Sequence, residues 1–287
     1  MHKLPIAQRP DGVVSVWLTP NPEQLRGGVV VLDRWLLDAI HAAFDEVDAL
    51  APSGLILRSR SERVFVAGAD LAEIDALDDA ALDAYLRHGS AAFARISSLP
   101  CPSVALVHKA ALGGGLELAM HCDGLVGVLP GAGEKSWRIG LPECSLGICP
   151  GWGGTNMICA RVDGPMAIEA CASGTTWPVE AAPSGLFAAT NSVEAAEVAC
   201  SAYLVAHPRS QRLPHPRAID STNSSRVGAA LDGATLPDSD SARAVTKAVR
   251  AGCQNGWNAA LAVERERLIA LRHSPLARAK LDAFLKR

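Results

Sequence analysis

Aromatic side chains are scarce, at 5% of the 287 residues, whereas Ala, Val and Leu abound. That mix suits closely packed helices and parallel strands rather than an aromatic-lined β-barrel. There is no marked excess of charge of either sign: 27 basic against 30 acidic residues leave a net charge of −3. Nothing therefore draws the whole molecule to nucleic acid or an anionic membrane, and an anionic ligand needs a local basic group. The eight cysteines include no C-x-x-C pair, and Cys144 and Cys149 stand five apart, which excludes zinc-type and thioredoxin-type spacing. Cys122, Cys171 and Cys200 lie in apolar runs, where Cys acts as a small hydrophobe. Reduced, buried thiols in a cytoplasmic protein are the expectation. No stretch approaches the roughly 18 uninterrupted apolar residues of a membrane span. Met1 to Gly12 lacks the apolar centre of a signal peptide. A soluble chain is expected.

An apolar fraction of 49% with 20% charged residues is enough for a sizeable core, as one large domain or a core with an appendage. Val13 to Leu18 reads as a strand. Leu32, Trp35, Leu36, Ala39, Ile40, Ala43, Phe44 and Val47 recur at helical spacing. After Pro52 and Gly54, Leu55 to Leu57 begin another strand. Leu82, Tyr85, Leu86, Phe93 and Ile96 mark a second long helix, and Val104 to Val107 the next strand. Strands alternating with helices predict an α/β fold with mostly parallel strands. Three segments are expected: a core over 1–190, a weakly patterned connection over 191–240, and a helical portion over 241–287. The connection carries Pro, Ser and Asn clusters, as in His207 to Pro216. The last portion carries a stripe of Leu261, Arg265, Leu268, Leu271, Leu281, Phe284 and Leu285.

Three stretches hold the chemistry: Val66 to Asp70, Ala111 to Ala119, and Gly140 to Glu143 running on to Gly154. The triple glycine Gly113–Gly115 leads into an apolar helix, where bare N–H groups and the helix dipole favour negative charge. The Lys-Ser/Thr of a phosphate loop and the G-x-G-x-x-G of a dinucleotide site are both missing. What remains is a seat for a smaller developing charge, such as a thioester oxygen, or simply a tight strand-to-helix turn. Glu117 follows among leucines. It is either an acid placed to suit the helix dipole or one kept for proton transfer. Asp70, with Glu73 three residues on, has the form of a helix cap. Glu143, beside Pro142 and a glycine-rich loop, is either a surface acid or a second carboxylate in a rigid apolar setting.

Taken in order, FVAGADLAEI, ALGGGLELAMHCD and RIGLPECSLGICPGWGGT make the chain from about Val13 to Phe187 resemble the crotonase (enoyl-CoA hydratase) superfamily. The resemblance is closest to the hydratase module of fatty-acid β-oxidation multifunctional subunits, and NGWNAALAVERERLIALRHSPLARAKLDAFL looks like the end of that module. It implies a right-handed spiral of ββα units with a helical C-terminal portion, assembled as a homotrimer or dimer of trimers. It also implies an acyl-CoA thioester as substrate, with no separate cofactor and no metal.

By the same resemblance, the N–H groups of Ala69 and Gly114 form an oxyanion hole. Glu117 and Glu143 hold and activate a water that the Gly151 N–H helps to place. Arg63, Ala67, Gly68, Asp70 and Leu71 meet the coenzyme A moiety. Two departures stand out. Ala72 occupies a place where hydratases often carry a Lys for a CoA phosphate, and against the family pattern the chain is a few residues longer around Pro130 to Glu134. The expected activity is hydration of 2-enoyl-CoA. Double-bond isomerisation, CoA-ester hydrolysis and a non-catalytic acyl-CoA-binding paralogue are the alternatives.

Overall fold

Val13–Leu18 is apolar at nearly every position and is buried on both sides, as a strand must be when parallel neighbours flank it and helices cover its faces. The structure is a computed structural model that describes residues 3–24, 26–209 and 215–286. This strand, β2, lies second in a six-stranded sheet with β1 (Ile6–Gln8), β3 (Gly54–Ser59), β5 (Ser103–Val107), β7 (Gly124–Val128) and β10 (Ala189–Asn191). The order is β1-β2-β3-β5-β7-β10, parallel except for the antiparallel edge strand β1. A second sheet, in the order β4-β6-β8-β9, joins β4 (Val64–Val66), β6 (Ala110–Leu112), β8 (Arg138–Gly140) and the antiparallel β9 (Thr176–Pro178).

Strands from β3 to β8 alternate between the two sheets, and helices close each turn. After β4 come α2 (Leu71–Ala76) and α3 (Asp79–Ser97). After β6 comes α4 (Gly114–Met120), and after β8 come α5 (Gly154–Cys159) and α6 (Met166–Ser173). Parallel crossovers of this kind are right-handed in nearly all proteins. The chain is the expected spiral of ββα turns. Helix α1 (Arg34–Ala49) precedes the spiral. Asp33 caps it by accepting from the Leu36 N–H at 2.8 Å, and the expected stripe from Leu36 to Val47 is buried.

The segment 191–240, expected as a connection, carries two helices, α7 (Val193–Ala206) and α8 (Ser224–Asp232). Residues 210–214 of the Pro- and Ser-rich stretch lie outside the described residues. Ala196, Cys200 and Leu204 of α7 pack on Val13, Ile56, Val104, Leu106 and Val126, so α7 covers one face of the large sheet. Strand β10 crosses the expected boundary at 190. The helix was hard to read because valines also stand on its outer side: Val193, Val198 and Val205 are 67–82% exposed, which blurs the stripe.

The C-terminal portion forms α9 (Asp240–Asn255), α10 (Trp257–Leu271) and α11 (Pro275–Leu285). The buried face of α10 runs Ala260, Glu264, Leu268, Leu271, while Leu261 and Arg265 are only half-buried. The expected stripe thus holds at Leu268 and Leu271 and was one step off at Leu261 and Arg265. Leu268, Leu271 and Leu281 join the chain's own core, whereas Phe284 and Leu285 stay exposed. Arg272 donates to the Ile74 and Leu77 carbonyls, and Arg278 pairs with Asp75. These bonds clamp the C-terminal helices onto α2. No helix among the described residues is long and apolar enough to cross a membrane.

Candidate active site

The second and third ββα turns meet at the triple glycine. Gly113 ends β6 with φ +52° and ψ −128°. An L side chain is strained there, and a Cβ would stand 2.7 Å from Glu143 Oε1. Gly115 lets α4 approach β4, since a Cβ there would come within 2.2 Å of the Val66 carbonyl oxygen. Between them Gly114 opens α4, and its N–H has no acceptor among the described residues. The Ala69 N–H has none either: its neighbours supply the bonds to Leu32, with Leu32 N–H donating to Gly68 O and Asp70 N–H to Leu32 O.

Ala69 and Gly114 line one cavity of about 80 Å³ together with Ala67, Gly68, Leu71, Glu117, Glu143 and Gly151. Its apolar wall is made by Ile74, Leu86, Leu146, Ile148, Trp152 and Leu268. Trp152 anchors that wall. Its indole Nε1–H donates to Leu86 O at 2.9 Å, and its ring packs on Tyr85 and Phe93 with centroids 5.7 and 5.3 Å away. A Cβ at Gly114 would lie 2.5 Å from that ring.

Glu117 is almost wholly buried. Its Oε1 accepts from the Trp152 and Gly154 N–H groups, each at 2.8 Å. Burial pushes its pKa well above the ordinary carboxylate range. The charges of Glu143 and Glu264 push the same way, against the two N–H donors. Glu143 opens a 3₁₀ turn, Glu143–Leu146. Its Oε2 is buried without a partner, and burial raises its pKa to about 8. A carboxyl that is costly to ionise and has a free oxygen is suited to hold or pass a proton near neutrality.

Glu264 was not singled out from the sequence, yet it is fully buried behind this wall. Its Oε2 accepts from Gly153 N–H at 2.5 Å, and its Oε1 from Thr155 N–H at 3.0 Å and from the Thr155 hydroxyl. Burial lifts its pKa to about 7. A charged residue on the apolar face of α10, four residues from both Ala260 and Leu268, was the signal that the phase error hid.

Of the other expected residues, Ala67, Gly68 and Leu71 line the cavity, and the Gly151 N–H has no acceptor among the described residues. Asp70 and Arg63 stand off it. Asp70 caps α2 through the Ala72 and Glu73 N–H groups and pairs with Arg26. Glu73 does not complete a capping box but turns to Arg34, at 3.0 Å. Arg63 donates to Gly27 O at 3.1 Å. The loop from Pro130 to Glu134 turns on the surface, where Glu134 pairs with Lys109 at 3.1 Å, and Glu143 lies against Gly113. Among the described residues no group of three or more His, Cys, Asp or Glu is arranged to hold a metal ion. The eight cysteines are unpaired, all but Cys253 buried.

Residues 31–211 match the family model of enoyl-CoA hydratase/isomerase. The chain belongs to that family. A probable enoyl-CoA hydratase of Bacillus subtilis is 35% identical over 167 residues, 57% of this chain and 60% of that protein. One of Rhizobium meliloti is 34% identical over 176 residues, 61% of this chain and 64% of that protein. The fatty acid oxidation complex subunit alpha of Vibrio vulnificus is 41% identical over 123 residues, 42% of this chain but 17% of that subunit. The matched region thus spans less than two thirds of each of these relatives. Among solved structures, an enoyl-CoA hydratase from Bacillus halodurans superposes with a TM-score of 0.66 at 17% identity, covering 98% of this chain and 99% of that one. One from Mycobacterium avium subsp. paratuberculosis gives 0.64 at 21%, covering 99% and 96%. At these identities the likeness is one of fold.

Proposed function

We propose that this family member adds water across the C2–C3 double bond of 2-enoyl-CoA thioesters. The observation that carries the reading is the meeting of Glu117 and Glu143 with the unpartnered N–H groups of Ala69 and Gly114 on one cavity. The thioester oxygen accepts from those two N–H groups, which stabilise the negative charge it gains as an enolate. One glutamate, ionised, takes a proton from water as the water oxygen bonds to C3. The other, protonated, delivers its proton to C2 as the enolate collapses. The sum is one water added, with the two carboxyls exchanging protonation states. The Gly151 N–H holds the water. Two carboxyls support hydration over isomerisation, which needs only a proton moved from one carbon to another.

Burial and the repulsion between the two carboxylates oppose their being ionised together, which suits a pair that passes one proton between acid and base roles during turnover. A turnover assay with crotonyl-CoA tests the reading: the absorbance of the conjugated enoyl thioester should fall with time. A stable absorbance under conditions where the ester binds would leave a binding protein rather than a hydratase. In this reading the protein acts as a homotrimer or dimer of trimers. The exposed Phe284 and Leu285 at the C-terminal end supply apolar area that closed symmetry would cover.

A further inference from the structure

Helix α10 holds the segment 151–155 at three levels. A Cβ on Gly151 would lie 2.8 Å from Leu268, and one on Gly153 would lie 2.0 Å from the Trp257 ring. Between these two contacts sits Glu264. The four successive N–H groups from Trp152 to Thr155 alternate strictly between two buried carboxylates. Trp152 and Gly154 donate to Glu117, while Gly153 and Thr155 donate to Glu264. Neither carboxylate can shift without disturbing the amides that hold the other.

We propose that Glu264 is a positioning residue for Glu117, gripping the segment 152–155 from behind so that two of its N–H groups face the catalytic carboxylate. It does not line the cavity and so acts through those amides. This rests on the reading of Glu117 as an acid–base group. The grip has a second consequence through charge. Facing Glu264 are Glu117 from α4, Glu143 from the 3₁₀ turn, and Thr155. Cys149 Sγ lies 3.6 Å from the Glu264 backbone oxygen. Among the described residues none of the three glutamates has a cationic partner: on α10 itself Arg265 is engaged by Asp83, and Arg267 by Glu266. An ionised Glu264 therefore opposes ionisation of the other two.

The test compares Glu264→Gln and Thr155→Val with the full wild-type chain. Thr155→Val keeps the side-chain shape, removes one donor to Glu264 and leaves its charge. Four quantities are read: kcat and KM for crotonyl-CoA across about pH 5 to 9, melting temperature, and infrared-detected titration of the buried carboxyls without ligand. For Glu264→Gln the expected result is a kcat lower by about 10- to 100-fold with KM within about twofold. Both limbs of the pH profile should move to lower pH, and so should the titration of the remaining carboxyls. Thr155→Val should lose about 3- to 10-fold in kcat, with KM again unchanged. An unmoved profile and titration in folded Glu264→Gln would overturn the proposal. So would losses in kcat, KM and melting temperature that fall together, as for a purely structural anchor. If Glu264→Gln does not fold, Thr155→Val decides by the same criteria. If the wild type turns over no enoyl-CoA, the hydratase reading fails by itself. The infrared titration then decides for or against Glu264 without turnover.

Discussion

The backbone N–H of Trp152 donates to Glu117 Oε1 at 2.8 Å, and the indole of the same residue packs against Gly114. One residue thus fixes a proposed acid–base carboxyl through its main chain and a proposed oxyanion-hole residue through its side chain. The two halves of the chemistry are held to one rigid reference. This matters because a misplacement of about 1 Å can cost on the order of a hundredfold in rate.

Replacing either carboxyl by its amide should leave CoA-ester binding intact and remove hydration. Glu117→Gln and Glu143→Gln should each lower kcat by about two to four orders of magnitude. Steady-state kinetics with crotonyl-CoA, alongside the Kd of a saturated acyl-CoA, check this. Near wild-type turnover in either variant removes that glutamate from the mechanism.

The buried acid should also be visible in stability. Glu143 ionises near its ordinary range when unfolded and at about 8 when folded. Between those values the folded state binds the extra proton, so stability falls as pH rises toward 8, by on the order of a few kcal/mol. Glu143→Gln has no charge to bury. Its melting temperature relative to wild type should therefore be higher at about pH 8 than at about pH 5. Parallel melting curves across that range would show that Glu143 is not held protonated.

Gly113→Ala tests the turn that sets Gly114 and Glu143 side by side. The positive φ and the 2.7 Å approach to Glu143 Oε1 should cost about 1–3 kcal/mol of stability. Moving the carboxyl should cost at least about a hundredfold in kcat. A folded Gly113→Ala variant with normal kcat would mean that Glu143 acts from elsewhere or not at all.

A cavity of about 80 Å³ bounded by Leu86, Leu268 and Trp152 is small beside the roughly 300–1,000 Å³ of ordinary ligand pockets. Turnover should therefore favour short enoyl chains. Leu268→Ala should destabilise the protein by about 2–5 kcal/mol and raise kcat/KM for longer chains relative to crotonyl-CoA by about tenfold. Chain-length profiles of the two proteins decide it; identical profiles would place the acyl chain elsewhere.

Much of this arrangement was legible beforehand. Alternating strand and helix patterns gave the α/β class, and motif order drew Ala69, Gly114, Glu117 and Glu143 into one expectation. The structure brings all four onto one cavity. Helix α7 was lost because its exposed valines hide the stripe that Ala196, Cys200 and Leu204 bury. Glu264 was lost because the α10 stripe was read through Leu261 and Arg265. A carboxylate on the buried face was then not singled out. Arg63 matched a motif position, and its guanidinium donates to Gly27 O outside the cavity lining.

The central claim is that this cavity adds water to an enoyl thioester, and the most direct measurement is product analysis of a crotonyl-CoA reaction run in heavy-oxygen water. The account predicts a 3-hydroxyacyl-CoA that carries one solvent oxygen at C3, formed by the wild type and not by Glu143→Gln. A product with a shifted double bond and no solvent oxygen, or free coenzyme A with the label in a released carboxylic acid, would contradict it.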